Sequence, residues 1–299
     1  MTEPATEGVS ARYADLETWA PQTLLQALWE GQLAAVAALQ PALPALARAI
    51  TAAADRLRRE GRLAYAGAGT SGRIGVQDGA ELGPTFDWPS DRLVFLMAGG
   101  EAALIRAAEN AEDREDLALE DVRLARLGPD DVLVGLAASG STPYTVGCLL
   151  AAREAGALTV GIANSPDSRL LEAAEHPILI ETGPEAIAGS TRMKAGTAQK
   201  VALNLFSTAL MTQLGRVYRG RMVDLLARND KLRRRAVRML QELTGATTGT
   251  AAAALTQAGG RVKPAVLIVR GLRLSEAEAL LAEHGGDLRR AEAALNDRT

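Results

Sequence analysis

The chain has 299 residues, of which 47% are hydrophobic, so it is long and apolar enough to bury a sizeable core in one large domain or two. Its 33 basic and 36 acidic residues give a net charge of −3, which creates no field that would favour nucleic acid or an anionic membrane as a partner. The single cysteine, Cys148, excludes an internal disulfide framework, and we expect it to be a buried side chain in a reducing compartment.

The amino-terminal residues lack the basic and apolar segments of a secretory leader. No uninterrupted apolar run reaches the roughly 18 residues that a membrane helix requires. We therefore expect a cytoplasmic protein without a membrane partner. His176 and His284 are the only histidines and have no neighbours at ligand spacing, so we predict no metal site.

Helical and strand patterns alternate along the chain. Residues 20–60 are predicted to be helical, including Leu24–Leu39 and Leu43–Arg59. Strand-like apolar runs then recur at Leu63–Ala66, Leu93–Ala98, Val132–Ala137, Leu158–Ala163 and Pro177–Ile180. Segments of helix length separate them, which predicts an α/β fold with a doubly wound, mostly parallel sheet. Ligands of such sheets bind beyond the carboxyl ends of the strands.

Two glycine- and serine-rich loops, Gly67–Arg73 and Ala138–Pro143, follow the first and third of these runs. Each places hydroxyls and free backbone N–H groups at the start of a predicted helix, an arrangement that binds anions. Ordinary helix caps explain one such loop, but two of them favour a phosphate site. The hydroxyl groups concerned are those of Thr70, Ser71, Ser139, Ser141 and Thr142.

The first loop also satisfies the G-x-G-x-x-G pattern of dinucleotide-binding proteins, which is a weak signal by itself. A nicotinamide site would need an acidic residue about 20 positions further on, at the end of the second strand. The nearest candidate there, Glu101, lies well beyond that position. We therefore predict a small phosphorylated ligand and no redox cofactor.

Two carboxylates are candidates for acid–base catalysis. Glu81 lies in a glycine-interrupted stretch and is equally well explained as an exposed residue at a helix end. Glu112 falls within Glu101–Leu124, predicted to be one acidic helix, on the same stripe as Ile105 and Leu119. A carboxylate on an apolar stripe is a candidate for a raised pKa.

A third polar helix entrance, Gly189-Ser190-Thr191, precedes a long apolar helix around Val201–Leu214, so Ser190 is a further candidate binding residue. Towards the carboxyl end the composition turns to Ala, Thr and Gly. We predict a sheet-containing domain over residues 1–240 and a small helical domain over 241–299. Within the latter, Pro264–Val269 fits either a strand or a helix.

Eight short motifs together carry a family resemblance: Thr6-Glu7, Gly67–Arg73, Asp78–Glu81 with Pro84–Phe86, Ala98–Glu101, Ala111–Asp113, Ala138–Tyr144, Gly189–Lys200 and Asn229–Leu232. The chain resembles the N-acetylmuramic acid 6-phosphate etherases over nearly its whole length. Gly189–Lys200 is the most specific of these motifs, since the glycine loops alone indicate only the wider sugar-isomerase (SIS) group. Gly79 and Leu82–Pro84 depart from the family pattern, which usually has a small polar residue and Cys-Pro-Pro there.

The resemblance implies a SIS-type sugar-phosphate domain with a helical amino-terminal segment and a small, ubiquitin-associated-like helical domain at the carboxyl end, which favours a helix at Pro264–Val269. It implies a bacterial cytoplasmic lyase without metal or redox cofactor, a homodimer with its active site near the interface. By this resemblance Glu81 matches the catalytic acid and Glu112 the second catalytic carboxylate. The phosphate-binding hydroxyls of related domains match Ser71, Ser139, Ser141 and Thr142.

The implied reaction is cleavage of the D-lactyl ether of N-acetylmuramic acid 6-phosphate. In the open-chain sugar the ether oxygen is β to the aldehyde, so removal of the C2 proton by Glu112 permits elimination of lactate, with Glu81 as the acid. If Ser71 and Glu81 shared one helix, about 15 Å would separate them at 1.5 Å per residue. Either the glycines break that helix, or Glu81 serves the partner's site.

Two other functions fit the same fold. A non-catalytic sugar-phosphate sensor would need neither carboxylate, so the presence of both Glu81 and Glu112 favours an enzyme. An aldose–ketose isomerase would also use a carboxylate base at C2, but the Gly189–Lys200 motif is against it.

Overall fold

A five-stranded, fully parallel sheet forms the centre of the fold. It is seen in a computed structural model that describes residues 6, 8–106, 108, 110–227 and 229–297, so Glu7 of the first motif lies outside the described residues. The strands are β1 (Leu63–Gly67), β2 (Leu93–Met97), β3 (Val132–Ala137), β4 (Leu158–Ala163) and β5 (His176–Leu179). Each of the predicted strands is confirmed to within two residues.

Helices cover both faces of this sheet. They are α1 (Pro21–Ala37), α2 (Leu43–Leu57), α3 (Gly69–Phe86), α4 (Glu115–Ala125), α5 (Pro143–Glu154), α6 (Arg169–Ala173) and α7 (Lys194–Gln213). The face that carries Ala64 and Leu133 packs against α4, α5 and α6, and the buried Cys148 of α5 belongs to that core, as predicted. The opposite face, which carries Tyr65 and Leu136, lies against α3. The doubly wound α/β fold is therefore confirmed.

The strand order in the sheet is β2-β1-β3-β4-β5, so β2 lies on one side of β1 while β3, β4 and β5 follow on the other side. The boundary between β1 and β3 is therefore a topological switch point. Ligands bind at such a switch point because the loops that leave the two strands turn to opposite faces and open a crevice. Gly67, the last residue of β1, pairs in register with Leu136, one residue from the end of β3. The two hydroxyl-rich loops therefore start side by side.

Helix α3 is continuous from Gly69 to Phe86, so its glycines do not break it. Space is tight at one of them: a Cβ at Gly79 would lie 2.5 Å from Cε1 of Phe95. The rings of Phe95 and Tyr65 stack with their centroids 6.1 Å apart, so a side chain at position 79 would displace the Phe95 ring. The aromatic pair therefore favours glycine at this position.

The chain divides into two compact units, the first containing the sheet and the second comprising Glu81–Pro89 and the residues from Thr208 onward. The second unit has a short hairpin, β6 (Val217–Tyr218) and β7 (Arg221–Met222), and five helices: α8 (Asp230–Thr244), α9 (Thr248–Gln257), α10 (Val262–Val269), α11 (Leu274–Glu283) and α12 (Leu288–Asn296). Residues 264–269 are therefore helical, as the resemblance implied. Within this unit the buried Lys263 donates to Asp224 at 2.7 Å and to the carbonyl of Gly286 at 2.6 Å.

The amino-terminal helices leave an apolar surface exposed. Leu25, Trp29, Leu33 and Val36 follow one another at helical spacing along α1, and each is about half exposed or more. By length and composition Pro21–Leu57 could cross a membrane, with a mean hydropathy of 1.5. A turn and a short 3-10 helix at Gln40–Ala42 divide this stretch, and α2 packs on β3, β4 and β5 as a core helix.

Candidate active site

A cavity of about 670 Å³ opens at the carboxyl ends of β1 and β3. We call it the serine-lined cavity, after the hydroxyl residues that line it: Thr70, Ser71, Ser139, Ser141, Thr142 and Thr191. The structure thus brings together all the hydroxyls predicted in the first two loops. Ser190 is not among the lining residues, whereas its neighbours Gly189 and Thr191 are.

The loop after β1 turns directly into α3. Gly69 has a φ of +51°, a conformation that glycine adopts without strain, and it begins the helix. Thr70 and Ser71 therefore lie in the first turn, where backbone N–H groups have no partner within the helix. Ser71 is 9% exposed, so a ligand that it binds is largely shielded from water on that side.

The loop after β3 is held by its own hydroxyls. Ser139 Oγ accepts bonds from the backbone N–H of Ser141 at 3.3 Å and from its hydroxyl at 3.1 Å. Gly140 has a φ of +67°, and a Cβ there would collide with the hydroxyl of Ser168. Thr142 precedes α5 in the N-cap position, but its side chain makes no capping bond, which leaves the hydroxyl available to a ligand.

Arg169 supplies positive charge to the serine-lined cavity. It is the first residue of α6, the helix that follows β4, and among the described residues no carboxylate forms an ion pair with it. Sequence reasoning missed this residue. The signal that could have found it is the position of α6 after a third neighbouring strand, at the same edge of the sheet as the two serine loops.

The third loop, Gly189–Thr191, is anchored by a buried carboxylate that sequence reasoning also missed. Glu185 is 1% exposed and accepts the backbone N–H groups of Lys194 and Ala195, both at 2.9 Å, at the start of α7. The Lys194 ammonium donates to the carbonyl of Thr182 at 2.6 Å. Burial lowers the pKa of Lys194, and the charge of Glu185 opposes that shift. A carboxylate at a helix N-terminus is stabilised by the unpaired N–H groups and the helix dipole.

Glu112 lines the serine-lined cavity, but not for the reason that its sequence suggested. The helix predicted over Glu101–Leu124 is wrong: the segment consists of two short 3-10 helices, Glu101–Leu104 and Ala111–Asp113, followed by α4. Asn110 adopts a left-handed conformation with φ +59°, which no α-helix accommodates. The apolar stripe therefore does not form, Ile105 is 90% exposed, and Glu112 itself is exposed.

Glu81 lies ten residues after Ser71 on the continuous helix α3 and is exposed. At 1.5 Å per residue this spacing corresponds to about 15 Å. Glu81 is not among the described residues that line the serine-lined cavity. Of the two alternatives drawn from the sequence, a helix broken by its glycines is excluded.

A second cavity, of about 290 Å³, adjoins the first. We call it the alanine-lined cavity, because Ala98, Ala103, Ala108 and Ala111 line it together with Met97, Arg73 and Asn110. Glu112 and the residues Ala68–Thr70 line both cavities. A group on Glu112 can therefore act on a ligand that extends from one into the other. No group of three or more metal-ligating side chains is found among the described residues.

A buried polar cluster surrounds Asp78 in the middle of α3. Its carboxylate accepts the Tyr65 hydroxyl at 2.9 Å, the Ser207 hydroxyl at 3.2 Å and the amide of Asn204 at 3.4 Å. Burial raises the pKa of Asp78, although the bonds from Tyr65 and Ser207 and the charge of Lys200 act in the opposite direction. Asp78 thus links β1, α3 and α7.

Paired hydroxyl loops at the switch point of a doubly wound parallel sheet define a SIS-type domain. Residues 45–153 match the glucokinase regulatory protein N-terminal SIS domain. The same fold is found in a crystal structure of a Bacteroides fragilis protein, described as a phosphosugar isomerase involved in capsule formation, with a TM-score of 0.51 and 21% identity over 65% of this chain and 91% of that one.

Sequence relatives narrow this class to one family. The N-acetylmuramic acid 6-phosphate etherase of Deinococcus radiodurans is 53% identical over 291 residues, which cover 97% of this chain and 95% of the relative. That of Streptomyces coelicolor is 47% identical over 97% and 93%, and that of Rubrobacter xylanophilus 44% identical over 94% of both. This chain belongs to the N-acetylmuramic acid 6-phosphate etherase family.

Proposed function

We propose that this chain cleaves the D-lactyl ether of N-acetylmuramic acid 6-phosphate and releases D-lactate and N-acetylglucosamine 6-phosphate. The single observation that carries the proposal is that Glu112 and both hydroxyl-rich loops line one cavity. Etherases that resemble this chain over 94–97% of its length favour this activity over a sugar-phosphate sensor or an aldose–ketose isomerase.

The phosphate is bound in the serine-lined cavity. Ser71, Ser139 and Ser141 donate hydroxyl bonds, and Thr70 and Thr142 contribute from the helix entrances that frame the same space. The backbone N–H groups at the start of α3 also donate to the phosphate, and the positive charge of Arg169 balances the negative charge of that phosphate. Ser190 acts with them only through its loop, since the lining is made by its neighbours.

The reaction is an elimination followed by a hydration. In the open-chain sugar Glu112 removes the proton from C2, the C3–O bond breaks, and the lactate oxygen leaves with a proton, which gives a double bond between C2 and C3. Water then adds its oxygen to C3 and a proton to C2. Electrons and atoms balance without an oxidant or reductant, so two carboxylates are sufficient for the proton transfers.

Glu81 is the acid that protonates the leaving lactate oxygen, and it acts in the site of the partner subunit. Its distance along the unbroken helix α3 and its absence from the lining of its own serine-lined cavity support this arrangement.

This role for Glu81 requires a homodimer, which we place in the cytoplasm. The exposed apolar stripe on α1 supports it, because an apolar face of this kind is usually covered by a partner. We infer that Trp29 and Leu33, which are 56% and 52% exposed, pack against a second copy of the chain.

The activity is tested by incubating the purified protein with N-acetylmuramic acid 6-phosphate and measuring D-lactate. We expect lactate and N-acetylglucosamine 6-phosphate in equal amounts. Glu112→Gln should lower the rate by about 100-fold or more, because an amide does not accept the C2 proton. Glu120→Gln, an exposed carboxylate of α4, is the matched control. A ketose product without lactate would instead identify an isomerase, and phosphate-dependent binding without turnover would identify a sensor.

A further inference from the structure

The alanine-lined cavity provides a separate space of about 290 Å³ beside the proposed phosphate site. It adjoins the serine-lined cavity where Glu112 faces both. If the phosphate is bound by the serines and C2 faces Glu112, the substituent on the neighbouring C3 oxygen extends into the alanine-lined cavity.

The walls of this cavity fit a short branched substituent. Ala98 and Ala103 are each 3% exposed and present methyl groups, and Met97 is 6% exposed beside them. A Cβ at Gly99 would lie 2.5 Å from the Cβ of Ala108 and 3.2 Å from that of Ala103, so the alanines close tightly around this glycine. Small apolar side chains around a small space select for a methyl group and exclude larger ones.

Arg73 provides the cation of the alanine-lined cavity. Its Nε donates to the carbonyls of Ala103 at 3.0 Å and Leu104 at 3.1 Å, and Nη2 donates to that of Arg106 at 3.3 Å. These three acceptors are neutral, and within the described part of the chain no carboxylate forms an ion pair with Arg73 and no acceptor is bonded to Nη1. The guanidinium is thus held in place by the loop through neutral carbonyls and lines the cavity, where its planar fork of donors matches an anion well.

We propose that the alanine-lined cavity receives the lactyl side chain, that Arg73 binds the lactyl carboxylate, and that Arg73 thereby selects ethers whose substituent is an acid. This proposal rests on the proposed function and adds the structural basis of its substrate specificity. The substrate then has an arginine at each of its anionic ends: Arg169 at the phosphate and Arg73 at the carboxylate.

Two substrates and three enzymes test the charge recognition. The substrates are N-acetylmuramic acid 6-phosphate and its lactyl amide, which has the same shape without the charge. For the wild-type protein we expect kcat/KM to be about 10- to 100-fold higher for the acid, the range for a hydrogen bond to a charged group. Arg73→Gln should remove this preference by losing activity on the acid alone, and Arg73→Lys should retain part of it.

Three results would contradict the proposal, and each has a different meaning. If Arg73→Gln lowers kcat/KM equally for both substrates, Arg73 only supports its loop and the proposal is wrong. If the preference for the acid persists in Arg73→Gln, another group binds the carboxylate. If the wild-type protein releases neither lactate nor lactamide, the proposed function itself fails and the assignment of the cavity fails with it.

A second variant tests the cavity without altering any charge. Ala108→Leu should fill the alanine-lined cavity and raise KM for the lactyl substrate about tenfold or more, because an overfilled site must displace its neighbours. The inhibition constant of N-acetylglucosamine 6-phosphate, which has no lactyl group, should stay the same. Ala102→Leu is the matched control, since Ala102 belongs to the same loop and is not among the described residues that line the cavity. An unchanged KM in Ala108→Leu would overturn the placement of the lactyl group.

Discussion

Most of the hydroxyl residues that line the serine-lined cavity were predictable one by one, as was Glu112, whereas Arg169, Glu185 and Asp78 were not. Ser71 and Ser139 stand out in the sequence because each follows a strand-like run and precedes a helix, so topology alone brings them together. Arg169, Glu185 and Asp78 belong to no such pattern. Asp78 and Glu185 are buried and act through partners that no sequence motif indicates, such as Ser207 for Asp78, whereas the exposed Arg169 is placed by the start of α6.

Removal of one phosphate hydroxyl should weaken substrate binding. Ser139→Ala should raise KM by about tenfold or more, because a hydrogen bond to a charged group contributes roughly 1.5–3 kcal/mol. Steady-state kinetics with N-acetylmuramic acid 6-phosphate measure the effect. Ser90→Ala serves as the control, since Ser90 precedes β2 at the opposite edge of the sheet. Equal KM values for the two variants would exclude Ser139 from the site.

The buried carboxyl of Asp78 should make stability depend on pH. Because burial raises its pKa in the folded state, the folded protein retains this proton more strongly than the unfolded chain does. The stability that the protonated carboxyl contributes is complete below the ordinary pKa of about 3.9 and is lost as pH rises through the folded pKa. Asp78→Asn should therefore gain free energy of unfolding relative to the wild-type protein as pH is raised from about 4 to 8.

Urea unfolding at several pH values measures that difference. The amide also loses an acceptor for Tyr65 or Ser207, which adds a constant cost of about 1 kcal/mol and leaves the slope unchanged. The exposed Asp91 provides a control, since Asp91→Asn should show no comparable slope. An Asp78→Asn variant that loses free energy of unfolding relative to wild type as pH rises from about 4 to 8 would contradict the assignment.

At the scale of secondary-structure elements, the sequence was sufficient to predict those segments whose structure is regular. The buried strands are continuous apolar runs because both faces of a parallel sheet are covered, and their ends fall where the runs end. The segment Glu101–Leu124 was mispredicted because a helical period can be counted through residues that are not helical. Gly99, Gly100 and Asn110 have positive φ values, and they turn the chain back so that Glu112 faces the cavity.

The anchoring of α7 by Glu185 can be tested directly. Glu185→Gln removes the charge at the helix N-terminus, so we expect a loss of about 1–2 kcal/mol in the free energy of unfolding. Since Gly189 and Thr191 line the serine-lined cavity, KM should rise as well, with faster amide exchange at the start of α7. The exposed Glu181 supplies the control variant Glu181→Gln. Protection of the Lys194 and Ala195 amides as in wild type would show that Glu185 does not anchor the helix.

At the scale of the whole molecule, the proposed role of Glu81 requires two chains for one complete site. Light scattering should give a mass of about twice the 31.3 kDa of the chain. Trp29→Asp should reduce the mass towards that of one chain, because it places a charge on the apolar stripe of α1, and activity should fall in parallel. The exposed Gln26 of the same helix gives the control Gln26→Asp. A fully active single chain would refute the shared site, and association with lipid vesicles would assign the stripe to a membrane.

Mixed dimers show which chain supplies Glu81. Glu81→Gln and Glu112→Gln should each be nearly inactive alone, yet the two variants, unfolded together and refolded as a mixture, should regain activity. Each mixed dimer then has one site with Glu112 from one chain and Glu81 from the other. If both carboxylates acted within one chain, every site in the mixture would lack one of them, and no activity would return.

The central claim is that Glu112 removes the C2 proton and that lactate leaves by elimination, and isotopic labelling of the product tests it most directly. Turnover of N-acetylmuramic acid 6-phosphate in D₂O should place deuterium at C2 of the N-acetylglucosamine 6-phosphate. Turnover in H₂¹⁸O should place ¹⁸O at C3, while the released D-lactate keeps the original ether oxygen. Mass spectrometry of both products reads these positions. Product without deuterium at C2, or lactate that carries ¹⁸O at its hydroxyl, would contradict the account.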